Sequence, residues 1–392
     1  MKKILLVLEI DLSLNNGAGI NERELVVALL DQFADHITII APTPQQPDVF
    51  FDNRICYISN HRRHNFFYYL RFLFFTWLQI RKFVNEQKIE AIVFRLGLWP
   101  ILPILANRKS IPVFLKTFSG YAMFERTDRR LLFKFISNFL WPFYKKAVKL
   151  SSAIDTPSHA LSFWAVHRFN FEKDNILVIP NGANIRDFQP NNVSEVAARY
   201  GYDHFQHIIG YVGAMDSIRF LDEAISAMTY LKNDLSVGLV LVGKGPYLDS
   251  LKKLAIDLDL SDNVFFLGFQ PYKDIPEIIN SFDVAIDLTR VALRIDGNEI
   301  IGSYSQKIPQ YLACGVPVLA HSCMDTFFIE MNGLGVTIPD STPQKIATAV
   351  RTIILDIQNN KYKKDNIRKY AVENLSYSAI AEKRFKFWQT MD

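Results

Sequence analysis

Short apolar runs alternate along the chain with longer stretches whose apolar residues recur at helical spacing. Runs of this length, bounded by turn residues, are typical of strands buried on both faces of a parallel sheet. They fall into two sets. The first predicts strands at 4–8, 36–41, 91–95, 113–116 and 153–156, and the second at 207–212, 237–242, 263–267, 284–287, 316–320 and 335–338. Strands that alternate with helices in this way predict an α/β protein.

Two sets of strands joined near 190–201 predict two doubly wound, Rossmann-like domains that face each other across a cleft. The first domain is predicted at 1–195 and the second at 202–375. An aromatic-rich final helix, at 376–392, is expected to return to the first domain. In such folds ligands bind at the carboxyl ends of the strands, so the functional residues are expected in the loops at those ends.

Composition supports two folded domains and excludes several classes of protein. A chain of 392 residues is longer than a single hydrophobic core usually supports, so more than one domain is expected. A hydrophobic content of 49% excludes general disorder. A net charge of +4 does not indicate nucleic-acid binding. The three cysteines (Cys56, Cys314 and Cys323) form no CxxC pair, so neither a disulfide framework nor a metal site is predicted.

The location predicted from the sequence is cytoplasmic. The apolar start of the chain is interrupted by Glu9 and Asp11, which favours a buried strand over a signal peptide. The apolar stretch at 66–80 is shorter than the roughly 20 residues that a spanning helix needs.

Glycines follow several of the predicted strands at their carboxyl ends. Such glycines allow close approach of a backbone to a phosphate, and they also serve ordinary strand-to-helix turns. The candidates are Gly17 and Gly19 in the first half, and Gly213, Gly243, Gly245 and Gly268, the last after Leu267, in the second.

Two cations accompany the glycines of the second half. Arg219 lies near the start of a predicted helix, and Lys307 begins another, two residues after Ser305 and three before Gln310. Cations and free amides at helix starts bind anions, although single residues of this kind are also common on solvated surfaces.

Taken in order, these segments resemble the retaining nucleotide-sugar glycosyltransferases of the GT-B fold that carry the E-x7-E signature. The stretch from Ser305 through Gln310 to Pro317 matches the S-x-K-x-x-E-Y-x-A-x-G-x-P form of the signature helix. The resemblance implies that Arg219 and Lys307 act on the donor diphosphate, and that the residues named above, with Leu267, bind the rest of the donor. It implies no metal and no other cofactor.

The chain departs from the family pattern at several positions. Ala214 stands where many members carry an arginine, and Gln310 stands in place of the second signature glutamate. The first signature glutamate falls at Gly302, with Glu299 the nearest carboxylate. A histidine common in the family has no counterpart near 116–120, so no acceptor-side catalytic residue is assigned.

Two aromatic segments edged with arginine and lysine, 62–75 and 129–149, fit either the core of the first domain or the headgroup region of an anionic membrane. The second reading places the protein at the inner face of the cell membrane.

The function predicted is transfer of a sugar from a UDP- or GDP-sugar to a saccharide or lipid-linked acceptor hydroxyl, with retention, in polysaccharide, lipopolysaccharide or glycolipid assembly. The missing signature residues leave open a non-catalytic subunit or sugar-nucleotide-binding protein. Another two-domain nucleotide-sugar enzyme, such as an epimerase, is a third reading.

Overall fold

The computed structural model describes residues 1–58, 66–95, 101–106, 111–116, 131–191, 194–233, 235–295, 298–302 and 305–390. The chain divides into two compact units. The first comprises Met1–Pro180, Leu293–Asn298 and Tyr377–Asp392, and the second comprises Asn181–Ala292 and Glu299–Ser376.

The first unit is built on a seven-stranded parallel sheet. Its strands are β1 (Ile4–Val7), β2 (Ile37–Pro42), β3 (Ile55–Ile58), β4 (Ala91–Arg95), β5 (Val113–Lys116), β6 (Ala153–Thr156) and β7 (Ile176–Val178), in the order β3-β2-β1-β4-β5-β6-β7. The strand order reverses between β1 and β4, which defines a topological switch point at the carboxyl ends of those strands.

Six helices described in the first unit connect the strands or close the chain. They are α1 (Gly17–Phe33), α2 (Phe66–Glu86), α3 (Ile101–Ala106), α4 (Leu131–Leu150), α5 (His159–Phe169) and the C-terminal helix Tyr377–Thr390. Helix α1 begins after Asn16, whose side chain accepts a hydrogen bond from the amide of Gly19 at 2.9 Å. An asparagine in this position satisfies an amide that the helix leaves unpaired.

The C-terminal helix packs on α1 within the first unit. The rings of Phe385 and Phe33 stack with centroids 3.9 Å apart, and the hydroxyl of Tyr377 donates to the side-chain oxygen of Asn21 at 3.0 Å. Trp388 is buried in the same core. Burying one large apolar side chain contributes about 1.5–3 kcal/mol, so the aromatic residues of this helix account for its docking.

The second unit is built on a six-stranded parallel sheet, and a separate two-stranded sheet has residues in both units. The strands are β8 (His207–Val212), β9 (Val237–Val242), β10 (Val264–Gly268), β11 (Val284–Asp287), β12 (Val291–Ile295), β13 (Asn298–Gly302), β14 (Val318–His321) and β15 (Gly335–Ile338). The larger sheet has the order β10-β9-β8-β11-β14-β15, and β12 pairs with β13.

Eight helices described in the second unit cover its sheet. They are α6 (Ser194–Tyr200), α7 (Leu221–Leu231), α8 (Leu248–Asp257), α9 (Ile275–Asn280), α10 (Lys307–Ala313), α11 (Phe327–Met331), α12 (Pro343–Gln358) and α13 (Lys364–Leu375). The C-terminal helix of the first unit is accordingly α14. Apolar residues from every strand of the six-stranded sheet and from α7, α10 and α12 form one continuous core.

The predicted fold class, two Rossmann-like parallel α/β units, is confirmed. Four strands have no counterpart in the sequence prediction: β3 and β7 of the first sheet, and the paired strands β12 and β13. Strands β3 and β7 are the edge strands of the first sheet, and their apolar runs are only four and three residues long. All three residues of β7 are only half-buried, so its short run does not mark a strand as clearly as those of the central strands do.

The boundary between the units also lies earlier in the chain than the sequence indicated. It falls between Pro180 and Asn181, and the expected junction at 190–201 contains α6. Ala183, Phe188 and Val196 are buried in the core of the second unit. The segment expected to be a linker therefore belongs to the second unit, and the boundary lies nearer the N-terminus.

The two segments considered for membrane contact fall on α2 and α4. Residues 62–65 and 129–130 lie outside the described residues. In the described part, Phe74 and Phe75 on α2 and Phe139 and Phe143 on α4 are exposed, with Phe139 at 64%. Within the ranges given above, no helix combines the length and the hydrophobicity needed to cross a bilayer.

Candidate donor-binding site

Three glycine-bearing loops stack at the carboxyl ends of β8, β9 and β10. The amide of Gly213 donates to the carbonyl of Val242 at 2.9 Å, and the amide of Gly243 donates to the carbonyl of Gly268 at 2.7 Å. The predicted donor-binding glycines of the second unit are thus brought together by direct backbone hydrogen bonds.

Close backbone packing explains why two of these positions carry glycine. A Cβ atom on Gly243 would lie 1.9 Å from the carbonyl oxygen of Gly213, and one on Gly245 would lie 2.1 Å from that of Met215. Gly243 also has a φ of 135°, which side chains disfavour. These glycines shape the loop, and any contact with a ligand comes in addition to that role.

A buried carboxylate, Asp287, lies at the carboxyl end of β11, next to β8 in the sheet. Its Oδ1 atom accepts hydrogen bonds from the hydroxyl and the amide of Thr289, the latter at 3.3 Å. Its Oδ2 atom lies 3.5 Å from the Nζ atom of Lys307. A fully buried carboxylate requires compensation of this kind.

Lys307, the first residue of α10, extends from the helix start towards the glycine loops. A Cβ atom on Gly213 would lie 3.0 Å from the Cδ atom of Lys307, so the aliphatic stem of the lysine runs beside the backbone of that loop. The Nζ atom also lies 5.5 Å from the ring centroid of Tyr211. The lysine side chain is only 13% exposed.

Arg219 reaches the same cluster from the loop after β8. It closes a 3₁₀ turn, Ser217–Arg219, immediately before α7. Its Nη1 atom donates to the hydroxyl of Thr289 at 2.9 Å, and its Nε atom lies 3.2 Å from a carboxylate oxygen of Asp216. Arg219 and Lys307 are therefore joined through Thr289 and Asp287.

Burial and charge shift the pKa values of both buried partners. Burial and the nearby Arg219 lower the pKa of Lys307 to about 8, because Asp287 offsets only part of their effect. Burial opposes ionisation of Asp287, but the Lys307 charge and the Ser305 and Thr289 hydroxyls keep its pKa below the ordinary value. Asp287 is therefore ionised at neutral pH, with two cations beside it.

The predicted residues on and before α10 lie next to this cluster. The hydroxyl of Ser305 accepts a hydrogen bond from the amide of Lys307 at 3.1 Å. Gln310 is half-buried and follows Lys307 by three residues, so the two side chains share a helix face. Leu267 is half-buried, and its carbonyl accepts from the side chain of Gln270 at 2.7 Å.

Other residues of the sequence prediction lie elsewhere. Gly17 and Gly19 begin α1 in the first unit, where a Cβ atom on Gly19 would lie 2.4 Å from the carbonyl oxygen of Leu14. Glu299 on β13 forms an exposed ion pair with Arg290 at 2.8 Å, and Gly302 ends the same strand. The stretch 117–120, searched for a family histidine, lies outside the described residues.

Sequence reasoning missed Asp287 and Thr289, the two residues that connect the cations. The available signal was a carboxylate at the end of the apolar run Val284–Asp287, where a buried strand normally ends on an apolar residue. A buried charge at a strand end marks a position whose partner comes from another part of the chain.

Comparison with known proteins follows the same division of the chain. Two Rossmann-like parallel-sheet units define the GT-B class of protein. Residues 195–371 match the model of Glycosyl transferases group 1, and residues 16–187 match that of Glycosyltransferase Family 4. The chain therefore belongs to the GT-B glycosyltransferases.

Individual relatives are distant. The chain is 25% identical over 239 residues to an uncharacterized glycosyltransferase of Methanocaldococcus jannaschii, covering 59% of this chain and 58% of the relative. It is 26% identical over 140 residues to a GDP-mannose-dependent α-(1-6)-phosphatidylinositol monomannoside mannosyltransferase of Mycobacterium tuberculosis, covering 34% and 35%. The alignments thus span between about one third and three fifths of these relatives.

Among solved structures, the fold is similar to that of Anabaena HepE in complex with UDP and glucose. The TM-score is 0.68 at 15% identity, and the similarity covers 100% of both chains. At this identity the similarity shows the shared fold.

Proposed function

We propose that the protein transfers a sugar from a nucleoside diphosphate sugar to an acceptor hydroxyl. One observation carries the proposal: Lys307 and Arg219 converge, through Asp287 and Thr289, on the glycine loops at the carboxyl edge of the second sheet. That edge is where doubly wound folds bind ligands, and two cations there suit a diphosphate.

The chemistry proposed is stabilisation of the departing diphosphate. Negative charge grows on the leaving phosphate as the bond to the sugar breaks. Lys307 and Arg219 compensate this charge in a partly dehydrated site, where electrostatic interactions are stronger than in water. The amide of Ala214, which donates no hydrogen bond to any described residue, adds a neutral donor in the same loop. The transfer is proposed to retain the anomeric configuration.

Asp287 acts as a positioning residue in this proposal. Its carboxylate keeps Lys307 and, through Thr289, Arg219 beside the glycine loops before the diphosphate arrives. Lys307 lies 3.5 Å from Asp287, longer than a close ion pair, which leaves its ammonium able to turn towards a phosphate.

Relatives support the choice of donor and product class. One is named for GDP-mannose and phosphatidylinositol monomannoside, and a structurally similar protein was solved in complex with UDP and glucose. We infer a UDP- or GDP-sugar as donor, with a saccharide or lipid-linked acceptor in polysaccharide, lipopolysaccharide or glycolipid assembly. We expect transfer without a bound metal, which activity after EDTA treatment tests.

The first experiment is a thermal-shift panel of nucleoside diphosphates. A ligand that binds only the folded protein raises its melting temperature. UDP or GDP is expected to do so, and Lys307→Ala is expected to remove most of the shift. Lys345→Ala, a change of an exposed lysine paired with Asp340 in the same unit, is the matched control. If no nucleoside diphosphate stabilises the native protein, the proposal fails.

A second candidate function is a non-catalytic binder of sugar nucleotides. Gln310, Ala214 and Gly302, which stand at family acidic or basic positions, favour it. Binding of a UDP- or GDP-sugar without hydrolysis or transfer in a purified sample would support this reading, whereas turnover of the sugar nucleotide would dismiss it. Product analysis in the absence of any acceptor distinguishes a third candidate, an epimerase, from the transferase and from the non-catalytic binder.

We also propose that the protein acts at the cytoplasmic face of a membrane. Exposed phenylalanines on α2 and α4 support this, together with Lys145 and Lys149 on α4. Aromatic and cationic residues on one helix suit the interface of an anionic bilayer. Co-sedimentation with phosphatidylglycerol vesicles, compared with phosphatidylcholine vesicles, tests the proposal, and equal sedimentation would contradict it.

A further inference from the structure

The first unit holds a charged cluster of its own at the carboxyl edge of its sheet. Glu22 on α1 is buried, and both of its carboxylate oxygens accept hydrogen bonds from the Nζ atom of Lys116, at 2.7 and 2.9 Å. The Nε atom of Arg95 donates to the same carboxylate at 3.0 Å. No residue of the donor-binding site described above takes part.

The cluster lies at the topological switch point of the sheet. Arg95 is the last residue of β4, Lys116 is the last residue of β5, and Glu22 belongs to the helix that follows β1. The strand order reverses between β1 and β4. Open α/β sheets bind ligands at the carboxyl ends of their strands at this point.

Among the groups named in this paragraph, which the structure describes, the charges do not balance. Lys116 alone neutralises Glu22, and the nearby Arg384 lies 3.4 Å from the buried Asp155, which matches its charge. Arg95 is therefore an additional cation beside a carboxylate that already has a partner. A structural ion pair has no need of it, because excess charge near a low-dielectric interior is costly.

The guanidinium of Arg95 is fixed through one of its three nitrogen atoms. Its Nε atom is fixed by Glu22, whereas its Nη1 and Nη2 atoms donate no hydrogen bond to any residue that the structure describes. The side chain is 22% exposed, so these two donors reach solvent. Two parallel N–H groups of an arginine match the two oxygens of a phosphate or carboxylate.

We propose that Arg95 binds an anionic group, a phosphate or a carboxylate, of the acceptor. The assignment to the acceptor rests on the proposed function, in which the second unit binds the donor diphosphate with its own two cations. Glu22 then acts as a positioning residue, and Lys116 keeps Glu22 ionised and fixed. The acceptor is accordingly an acidic saccharide or a phosphorylated molecule.

The test measures binding of inorganic phosphate in the presence of saturating UDP or GDP. Phosphate is expected to raise the melting temperature of the native protein further, beyond the effect of chloride at equal ionic strength. Arg95→Gln is expected to weaken phosphate binding by about tenfold and to leave the nucleotide affinity unchanged. Arg95→Lys, which keeps the charge without the fork, is expected to lie between the two.

Arg54→Gln is the matched control, because it removes the same charge from an exposed ion pair with Asp52 and Asp31 in the same unit. It should bind phosphate as the native protein does. The proposal is overturned if Arg95→Gln and Arg95→Lys bind phosphate normally, or if they weaken the nucleotide as much as the phosphate. If no nucleotide binds at all, the proposed donor site fails, and phosphate titration without nucleotide still decides the role of Arg95.

Discussion

The two units carry charged clusters of the same composition that differ in how closely the lysine approaches the carboxylate. Each has a buried carboxylate, a largely buried lysine and an arginine about one-fifth exposed, at the carboxyl edge of a parallel sheet. In the first unit Lys116 donates directly to Glu22 at 2.7 Å, whereas in the second unit Lys307 lies 3.5 Å from Asp287.

In the proposed function, this difference in distance separates the structural Lys116 from the catalytic Lys307. A lysine that makes two short hydrogen bonds with a buried carboxylate has its charge neutralised by that carboxylate. One at a longer distance keeps donors for a ligand. Burial lowers the pKa of both lysines to about 8, with the carboxylate opposing the shift in each case, so the pKa alone does not distinguish them. Geometry does.

The largest effect is expected from Lys307→Ala. In the proposed function it removes a charge that stabilises the departing diphosphate, so turnover should fall by about 10²–10³, as when one donor to a developing anion is lost. Steady-state kinetics with a UDP- or GDP-sugar measures it, with Lys345→Ala as control. Turnover like that of the native protein would remove Lys307 from the mechanism.

Lys116→Met is expected to act on stability instead. Loss of one partner from a buried pair costs about 3 kcal/mol, the lower end of the usual range because Arg95 remains beside Glu22. All five tryptophans belong to the first unit, so tryptophan fluorescence during urea unfolding reports on that unit. Lys307→Met should leave this transition in place, and an equal shift for both variants would contradict the comparison.

The pH dependence of kcat/KM should expose the loosely held lysine. Because the pKa of Lys307 is lowered to about 8, its charge is present at pH 7 and is lost as the pH rises above 8. The value of kcat/KM should then fall by about tenfold per pH unit. Lys307→Arg, if active, should lose this limb because arginine stays charged. An unchanged limb would point to Lys116.

The smallest effect is expected from Gln310→Glu, which restores the acidic residue of the family signature. A carboxylate accepts hydrogen bonds from ribose hydroxyls more strongly than an amide does, by about 1 kcal/mol, or roughly fivefold in affinity. Isothermal titration with UDP and GDP measures it. Weaker nucleotide binding by this variant would show that Gln310 does not face the nucleotide.

How much the sequence predicted differs between the two clusters. In the second unit the glycine loops and both cations were predicted from the sequence, because each follows a predicted strand or begins a helix, and the structure brings them together. Asp287 was missed, since nothing in the local pattern relates it to Lys307. In the first unit none of Glu22, Arg95 and Lys116 was identified, because 94 positions separate Glu22 from Lys116 and each looks like an ordinary charged residue.

The sequence by itself determined the two parallel sheets, because buried strands must be continuously apolar and helices must repeat with their own period. It also determined which loops lie at the carboxyl edge. The tertiary structure alone decided which charges meet there. Pairing of charges depends on strand order and on side-chain distances of a few ångströms, neither of which is encoded in local spacing. The buried carboxylates of Glu22 and Asp287 need cationic partners, and those partners come within reach only once the sheets are assembled.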